Sequence, residues 1–249
     1  MLLELQKHII YGPVNSRRLG RSLGINILPI KQKVCTFNCV YCQYGWTKSN
    51  DLQVPQWFTP KEVLQAIEEG LAQCSPLPDY LTFSGNGEAT MHPDFPEIVD
   101  GLIEIRNRIS PGTKLAILSN STLINDAIIR KAIDKIEYKI MKLDAGTTDI
   151  YNRINRPCVP ISLDEIVAGL KSMKDIIIQT MWVAGDEGNY TPEHIPFWLE
   201  KVKSISPKFV QIYSLDRGYP SRNIEKVSRE SLLEIKDMVM NKGIQAEVY

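Results

Sequence analysis

The sequence predicts an α/β fold, a partial (β/α)6 TIM-like barrel with parallel strands inside and helices outside. Two observations predict it. Apolar, β-branched runs alternate with helical segments at roughly 30-residue intervals, which marks βαβ units around a parallel sheet. The chain is also 249 residues long, a length that a single α/β barrel domain uses in full. Six strand–helix units are counted, too few for a closed eight-stranded barrel.

Residues 1–21 form an N-terminal arginine-rich segment. Within it Tyr11-Gly12-Pro13 reads as a turn, and Arg17, Arg18 and Arg21 follow closely. Their guanidinium forks could grip a carboxylate or phosphate, or simply form a solvated basic loop. Residues 22–28 predict a first strand stopped by Pro29, and a cysteine loop at 35–42 follows. Thr59-Pro60-Lys61-Glu62 opens a helix that runs to about residue 73. Thr caps it, Pro suits the first helical position, and the acid stands three residues after the cap. A strand at 80–83, a helix at 96–109, a strand at 115–118, a helix at 125–135 and a strand at 138–143 come next. Ser162-Leu163-Asp164-Glu165 caps a helix reaching residue 173. Strand 176–183, helix 191–205, strand 209–215 and helix 228–241 continue the alternation, with 244–248 as an edge strand. No linker, low-complexity stretch or repeat interrupts it, so residues 1–249 are expected to form one domain.

The charge balance narrows the function classes. Lys plus Arg equals Asp plus Glu, 29 each, which gives no overall basic footprint for nucleic acid. Nucleic acid is therefore not favoured, although a local patch would suffice. No apolar run of about 18 residues argues for a membrane span. The start, Met1-Leu2-Leu3-Glu4-Leu5, lacks the layout of a signal peptide. Together with its cysteines this points to a reducing cytoplasm.

Cys35, Cys39 and Cys42 are spaced C-x3-C-x2-C. A short loop at that spacing can turn three thiolates onto one cube of iron and sulfide. Such clusters are usually held by four cysteines, so three leave one iron open for a ligand that is not protein. Zinc would want a fourth ligand, and the nearest histidines in sequence are His8 and His92. Disulfides would leave an odd thiol. Cys74 reads as a small inert thiol after a helix. Cys158, in the loop after the fourth strand, reads as a bystander, with radical quenching or extra ligation as the alternative.

In parallel α/β architectures the chemistry gathers at the C-terminal ends of strands. The second strand ends in Ser84-Gly85-Asn86-Gly87-Glu88, where two glycines permit close backbone approach and Glu88 can accept from an ammonium group. The third ends in Ser119-Asn120-Ser121-Thr122, either part of a site or an N-cap cluster for the next helix. After the fourth, Lys142 and Asp144 are two apart and share a face opposite Met141 and Leu143. That pair is read as catalytic, the alternative being an ion pair that staples a loop.

The cysteine loop and these strand ends resemble the radical S-adenosylmethionine (SAM) superfamily. The longer run from Tyr11 to Gly24 (Tyr-Gly-Pro-Val-Asn-Ser-Arg-Arg-Leu-Gly-Arg-Ser-Leu-Gly), followed by Cys35-Thr36-Phe37-Asn38-Cys39-Val40-Tyr41-Cys42-Gln43, is similar to a group of small Fe–S oxidoreductases related to the wyosine-tRNA synthases. The resemblance implies a [4Fe–4S] cluster on Cys35, Cys39 and Cys42 whose free iron chelates the amino and carboxylate groups of SAM. Reductive cleavage of SAM to methionine and a 5′-deoxyadenosyl radical is the implied chemistry, fed by an electron donor such as flavodoxin or ferredoxin. Gly85, Asn86, Gly87 and Glu88 would meet the SAM amino group, with Ala89 where the family often has Pro. Ser119 and Asn120 would stand at the ribose, and the main chain of Tyr41 at the adenine. Relatives that build wyosine carry further cysteines for a second cluster; here only Cys74 and Cys158 remain. The expected function is thus a radical SAM enzyme acting on a small molecule or peptide. A tRNA-base modifier, with Arg17, Arg18 and Arg21 on phosphates, is one alternative. A non-enzymatic metal-binding interaction protein is the other.

Overall fold

Apolar residues recur every three or four positions in the helical segments and every second position in the strands, and that difference in period decides which face each element buries. In the computed structural model, which describes residues 2–48 and 52–249, β1 (Ile10–Ser16) and β2 (Gly20–Ile25) form an antiparallel hairpin. Then follow α1 (Pro60–Ala72), β3 (Tyr80–Phe83), a 3-10 turn (Ala89–Met91), α2 (Phe95–Ile109), β4 (Lys114–Ser119), α3 (Ala127–Asp134) and β5 (Tyr138–Lys142). The second half holds α4 (Thr148–Ile154), α5 (Leu163–Lys171), β6 (Ile176–Met181), β7 (Val183–Ala184) and α6 (His194–Ile205). It ends with β8 (Phe209–Tyr213), β9 (Glu225–Lys226), α7 (Arg229–Met240) and β10 (Ala246–Val248). The main sheet runs β1-β2-β3-β4-β5-β6-β8-β10 and is parallel from β2 onward. This is the expected α/β arrangement of six strand–helix units closed at the edge by β10.

Caps start the helices where the sequence places them. Thr59 Oγ1 accepts from the Glu62 amide at 3.3 Å, and Glu62 accepts from the Thr59 amide at 2.7 Å. Ser162 and Glu165 repeat the box at the start of α5. Val63, Ile67 and Leu71 form one buried stripe of α1, and Leu232, Ile235 and Val239 one of α7. Each such fully buried side chain contributes roughly 1.5–3 kcal/mol.

The strands divide two cores. Leu81, Phe83, Leu115, Ile117, Met141 and Ile178 face the helices and join the larger core. The alternate positions face the barrel interior. At its lower end Leu19, from the β1–β2 turn, packs with Ala116, Ile140 and Ile177, and a T-shaped Tyr80–Tyr138 pair at the strand starts packs against this cluster. Higher up the inward residues turn polar: Thr82, Lys142, Gln179 and Tyr213 line a cavity. A barrel plugged at one end and polar at the other leaves its chemistry at the C-terminal strand ends.

Three elements differ from expectation. The segment read as a turn at Tyr11-Gly12-Pro13 is instead part of strand β1, in which the register shifts between Tyr11 and Val14 to accommodate Gly12 and Pro13, while Arg17 and Arg18 stand in the turn that follows and Arg21 in β2. There Tyr11 lies flat against Gly24, where a Cβ would stand 2.2 Å from the tyrosine ring. Helix α4 follows the fourth parallel-type strand unannounced. The expected strand 176–183 breaks after Met181, and Val183–Ala184 pairs with Glu225–Lys226 in a separate ribbon.

Candidate active site

The cysteine loop leaves β2 and is held by main-chain bonds on both sides. Val34 donates to the Asn86 carbonyl and accepts from the Glu88 amide, both at 2.9 Å. On the other side Asn38 donates to Asn155, Val40 to Ile154, and Cys158 to Thr36. Phe37 and Val40 anchor the loop in the core. The intervening cysteines are left facing one cavity of about 530 Å³.

All five cysteines are free thiols. Amide N–H groups aim at two of the three loop sulfurs: Asn120 Nδ2 at Cys35 Sγ and Asn155 Nδ2 at Cys39 Sγ, each 3.5 Å. Burial pushes the Cys35 thiol up to about 12 against the opposing pull of Lys33. Burial likewise raises Cys39, opposed by Lys142. Lys33 is itself buried and donates to the Gly45 carbonyl at 2.9 Å. Burial lowers its pKa, but charge on Cys42, Cys35 and Cys39 outweighs this and the net shift is upward. Among the described residues no group of His, Cys, Asp or Glu is assembled tightly enough to hold a single metal ion. Against the rise in the Cys35 and Cys39 thiols, the two amide donors and the buried ammonium stand where they would stabilise the sulfurs once these are anionic and ligating, and all three thiols line one wall. This donor set fits a polynuclear cluster, whose thiolates bind separate irons.

The glycine turn after β3 explains itself at Gly87. Its φ is +144°, and a Cβ there would lie 1.8 Å from the Val34 carbonyl oxygen. The turn therefore presses against the cysteine loop as only glycine allows. Gly85, Gly87 and Glu88 line the cavity. Asn86 does not. Its amide is spent on Gln6 and Pro29, fastening the N-terminal segment to the turn. Glu88 is buried and already serves four donors: the Thr90 amide and hydroxyl, the Ser119 hydroxyl and the Asn120 amide at 2.6 Å. Burial raises its pKa and these bonds oppose the rise. Ser119 and Asn120 line the cavity beside it. Ser121 and Thr122 do not cap the next helix, whose N-cap is Asp126.

Lys142 and Asp144 occupy different depths. Lys142 ends β5 on the inner face and lines the cavity, opposite Met141 and Leu143 in the outer core. Asp144 lies behind it, buried, with Lys142 Nζ 3.6 Å away. It accepts from the Tyr41 hydroxyl, from Asn155 Nδ2 at 2.8 Å and from the Met181 amide at 3.0 Å. The Lys142 ammonium also stands 5.1 Å over the Tyr41 ring. Burial would lower its pKa, but Asp144 and its other neighbours hold it well above the ordinary lysine value. The exposed loop staple is thereby excluded. The pair is buried in the wall of the cavity, and Tyr41 contributes its ring and hydroxyl as well as its main chain.

The three arginines separate. Arg17 pairs with Asp216 at the surface, 3.0 Å apart. Arg21 does not line the cavity; its amide donates to Asp79. Arg18 does line it, with its guanidinium 5.2 Å from the Tyr213 ring. A shared three-arginine phosphate grip is therefore not what the fold builds. Two residues that hold the site escaped sequence reasoning. Lys33 stands two positions before the first cysteine, and that closeness was the available signal. Asn155 bridges Cys39 and Asp144 from the end of α4, a helix the pattern did not reveal.

Residues 30–180 match the family model described as the radical SAM superfamily. The chain belongs to the radical SAM superfamily. Among curated relatives it is 35% identical to a UPF0026 protein of Synechocystis sp. over 224 residues, covering 85% of this chain and 77% of that one. It is 26% identical to the GTPase Obg of Brachyspira hyodysenteriae, covering 94% of this chain but only 34% of that protein. Solved radical SAM structures share the fold. A radical SAM methyltransferase from Sphaerobacter thermophilus superposes with a TM-score of 0.66 at 12% identity, covering 92% of this chain and 65% of that one. SuiB of Streptococcus suis, solved with SAM bound, gives 0.67 at 12% identity, with coverage of 91% and 50%. TYW1, solved with a lysine–pyruvate adduct bound, gives 0.63 at 18%, with coverage of 89% and 73%. The protein is an enzyme of a family that uses a [4Fe–4S] cluster and SAM. Among the described residues no helix is long and apolar enough to cross a membrane.

Proposed function

We propose that this radical SAM enzyme holds its [4Fe–4S] cluster on Cys35, Cys39 and Cys42 and binds SAM in the adjoining cavity. A small molecule or peptide is its substrate. The observation that carries the reading is the single cavity on which three thiols converge with the glycine turn, Ser119 and Asn120. When bound, the cluster supplies one-electron reductive cleavage of SAM to methionine and a 5′-deoxyadenosyl radical, with flavodoxin or ferredoxin as the class of electron donor. The chain's own residues do the rest. Lys33, Asn120 and Asn155 stabilise charge on the sulfurs. Glu88 ties the turn after β3 to the end of β4, fixing the wall against which SAM would lie. Asp144 keeps Lys142 charged, and Lys142 presents that charge to the bound molecules. Free thiols throughout agree with a reducing cytoplasm.

A tRNA substrate is the lesser reading, because Arg17 is paired and Arg21 lies off the cavity. An RNA pull-down with a salt titration separates it, since phosphate contacts bring steep salt dependence. The main test is anaerobic reconstitution with iron and sulfide. Colour, iron and sulfide are expected; zinc in their place would restore the interaction-module reading.

Glu88→Gln gives a narrower test. The substitution turns an NH₂ group toward donors now satisfied by a carboxylate oxygen, leaving buried donors unmet at a cost of roughly 1–3 kcal/mol. Lower thermal stability and weaker SAM binding are expected, with iron content kept. Unchanged SAM affinity in calorimetry would remove Glu88 from the SAM wall.

A further inference from the structure

We propose that Arg18 anchors a carboxylate or phosphate group carried by the substrate, inside the barrel against β8. This rests on the cavity being the radical SAM active site. At about 530 Å³ the cavity lies in the usual range for small-ligand sites, roughly 300–1,000 Å³. Along its lining five cations face two carboxylates and the three cysteines, so a further anion needs a cation that none of these already holds.

Four of the five cations are committed elsewhere. Arg17 pairs with Asp216 at 3.0 Å and Lys142 with Asp144 at 3.6 Å. Lys33 donates to the Gly45 carbonyl, and Arg217 donates to Gln43 at 3.2 Å. Arg18 differs. Its Nη1 is buried and has no hydrogen-bond partner, and among the described residues it forms no ion pair. A buried donor left unmet is costly and calls for a ligand.

The fork is also held in place. Its guanidinium rests against the Tyr213 ring. The Tyr213 hydroxyl donates to Gln179 Oε1 at 3.0 Å, and Gln179 Nε2 donates to Gln211 Oε1 at 3.1 Å. A guanidinium fixed on a braced ring offers two parallel N–H groups in one plane, the geometry that fits a carboxylate or phosphate. SAM carries a carboxylate too. The Arg18 guanidinium, however, rests on Tyr213 at the end of β8, whereas Gly85 and Glu88 follow β3 and Asn120 follows β4, strands that β5 and β6 separate from β8 in the sheet. The anion that reaches Arg18 thus belongs to the second molecule.

The test uses anaerobically reconstituted protein at low salt. Inorganic phosphate and succinate are titrated by calorimetry, with and without saturating SAM, into wild type, Arg18→Met and Arg18→Lys. Arg108→Gln, in an exposed pair with Glu68, is the control. At least one anion should bind wild type and the control equally, and bind Arg18→Met at least tenfold more weakly. Arg18→Lys should fall between, and SAM should leave the anion bound. Melting curves accompany each variant, and Arg18→Lys carries the comparison should Arg18→Met not fold. No anion binding to wild type, or equal binding by both variants, overturns the proposal. Anion binding displaced by SAM, together with weakened SAM affinity in Arg18→Met, assigns Arg18 to SAM and also overturns it. SAM cleavage is read in the same samples: its absence with anion binding intact refutes the enzymatic assignment of the cavity and leaves the anion site standing.

Discussion

Replacing Cys35, Cys39 and Cys42 together with alanine is expected to abolish iron binding and SAM cleavage while the protein still folds. The loop does not depend on the thiols for its shape: the amides of Val34, Asn38 and Val40 and the carbonyl of Thr36 tie it to neighbouring segments, and Phe37 and Val40 pack into the core. The thiols themselves are the ligands, and iron–sulfur clusters depend on such thiolates. Iron analysis and a SAM-cleavage assay on the triple variant decide it. Roughly four irons retained per chain would contradict the assignment.

Asp144→Ala is expected to be the most damaging single change outside the cysteines. It would leave the Lys142 ammonium without its counter-ion and strip acceptors from Tyr41, Asn155 and the Met181 amide. Removing one partner of a buried ion pair typically costs about 3–5 kcal/mol, and Lys142 keeps some solvent contact, which favours the lower figure. For a chain of this size that is a fall in melting temperature of the order of 10 °C. Lys142→Met separates folding from function. Asp144 would keep its three remaining donors, so melting should fall less than in Asp144→Ala and iron content should stay near wild type, while substrate-coupled turnover falls at least tenfold. Equal turnover in Lys142→Met would make the pair structural only.

The strand–helix alternation was legible because its signals are local. Thr59 and Ser162 cap helices through residues three positions away, and period-two alternation alone sets Lys142 opposite Met141. Strand β1 was not legible, since Gly12 and Pro13 carry a turn signature locally and only pairing with β2 makes the segment a strand. The cysteine loop stood out by spacing, and the place of Gly85, Gly87, Ser119 and Asn120 followed from the strand ends. What the sequence hid is long-range. Asn155 is 116 residues from Cys39, Tyr41 is 103 from Asp144, and neither contact has a pattern in the chain. The divergence of Arg17, Arg18 and Arg21 is hidden for the same reason: each direction is set by the turn that drives Leu19 into the barrel.

The central claim is that three cysteines hold a cluster with one iron open to SAM beside the glycine turn. Electron paramagnetic resonance of the reduced, reconstituted protein tests it most directly. The account predicts a [4Fe–4S] signal that changes when SAM is added, with 5′-deoxyadenosine accumulating in the same tube. A cluster signal that SAM leaves unaltered, with no 5′-deoxyadenosine formed, would contradict it.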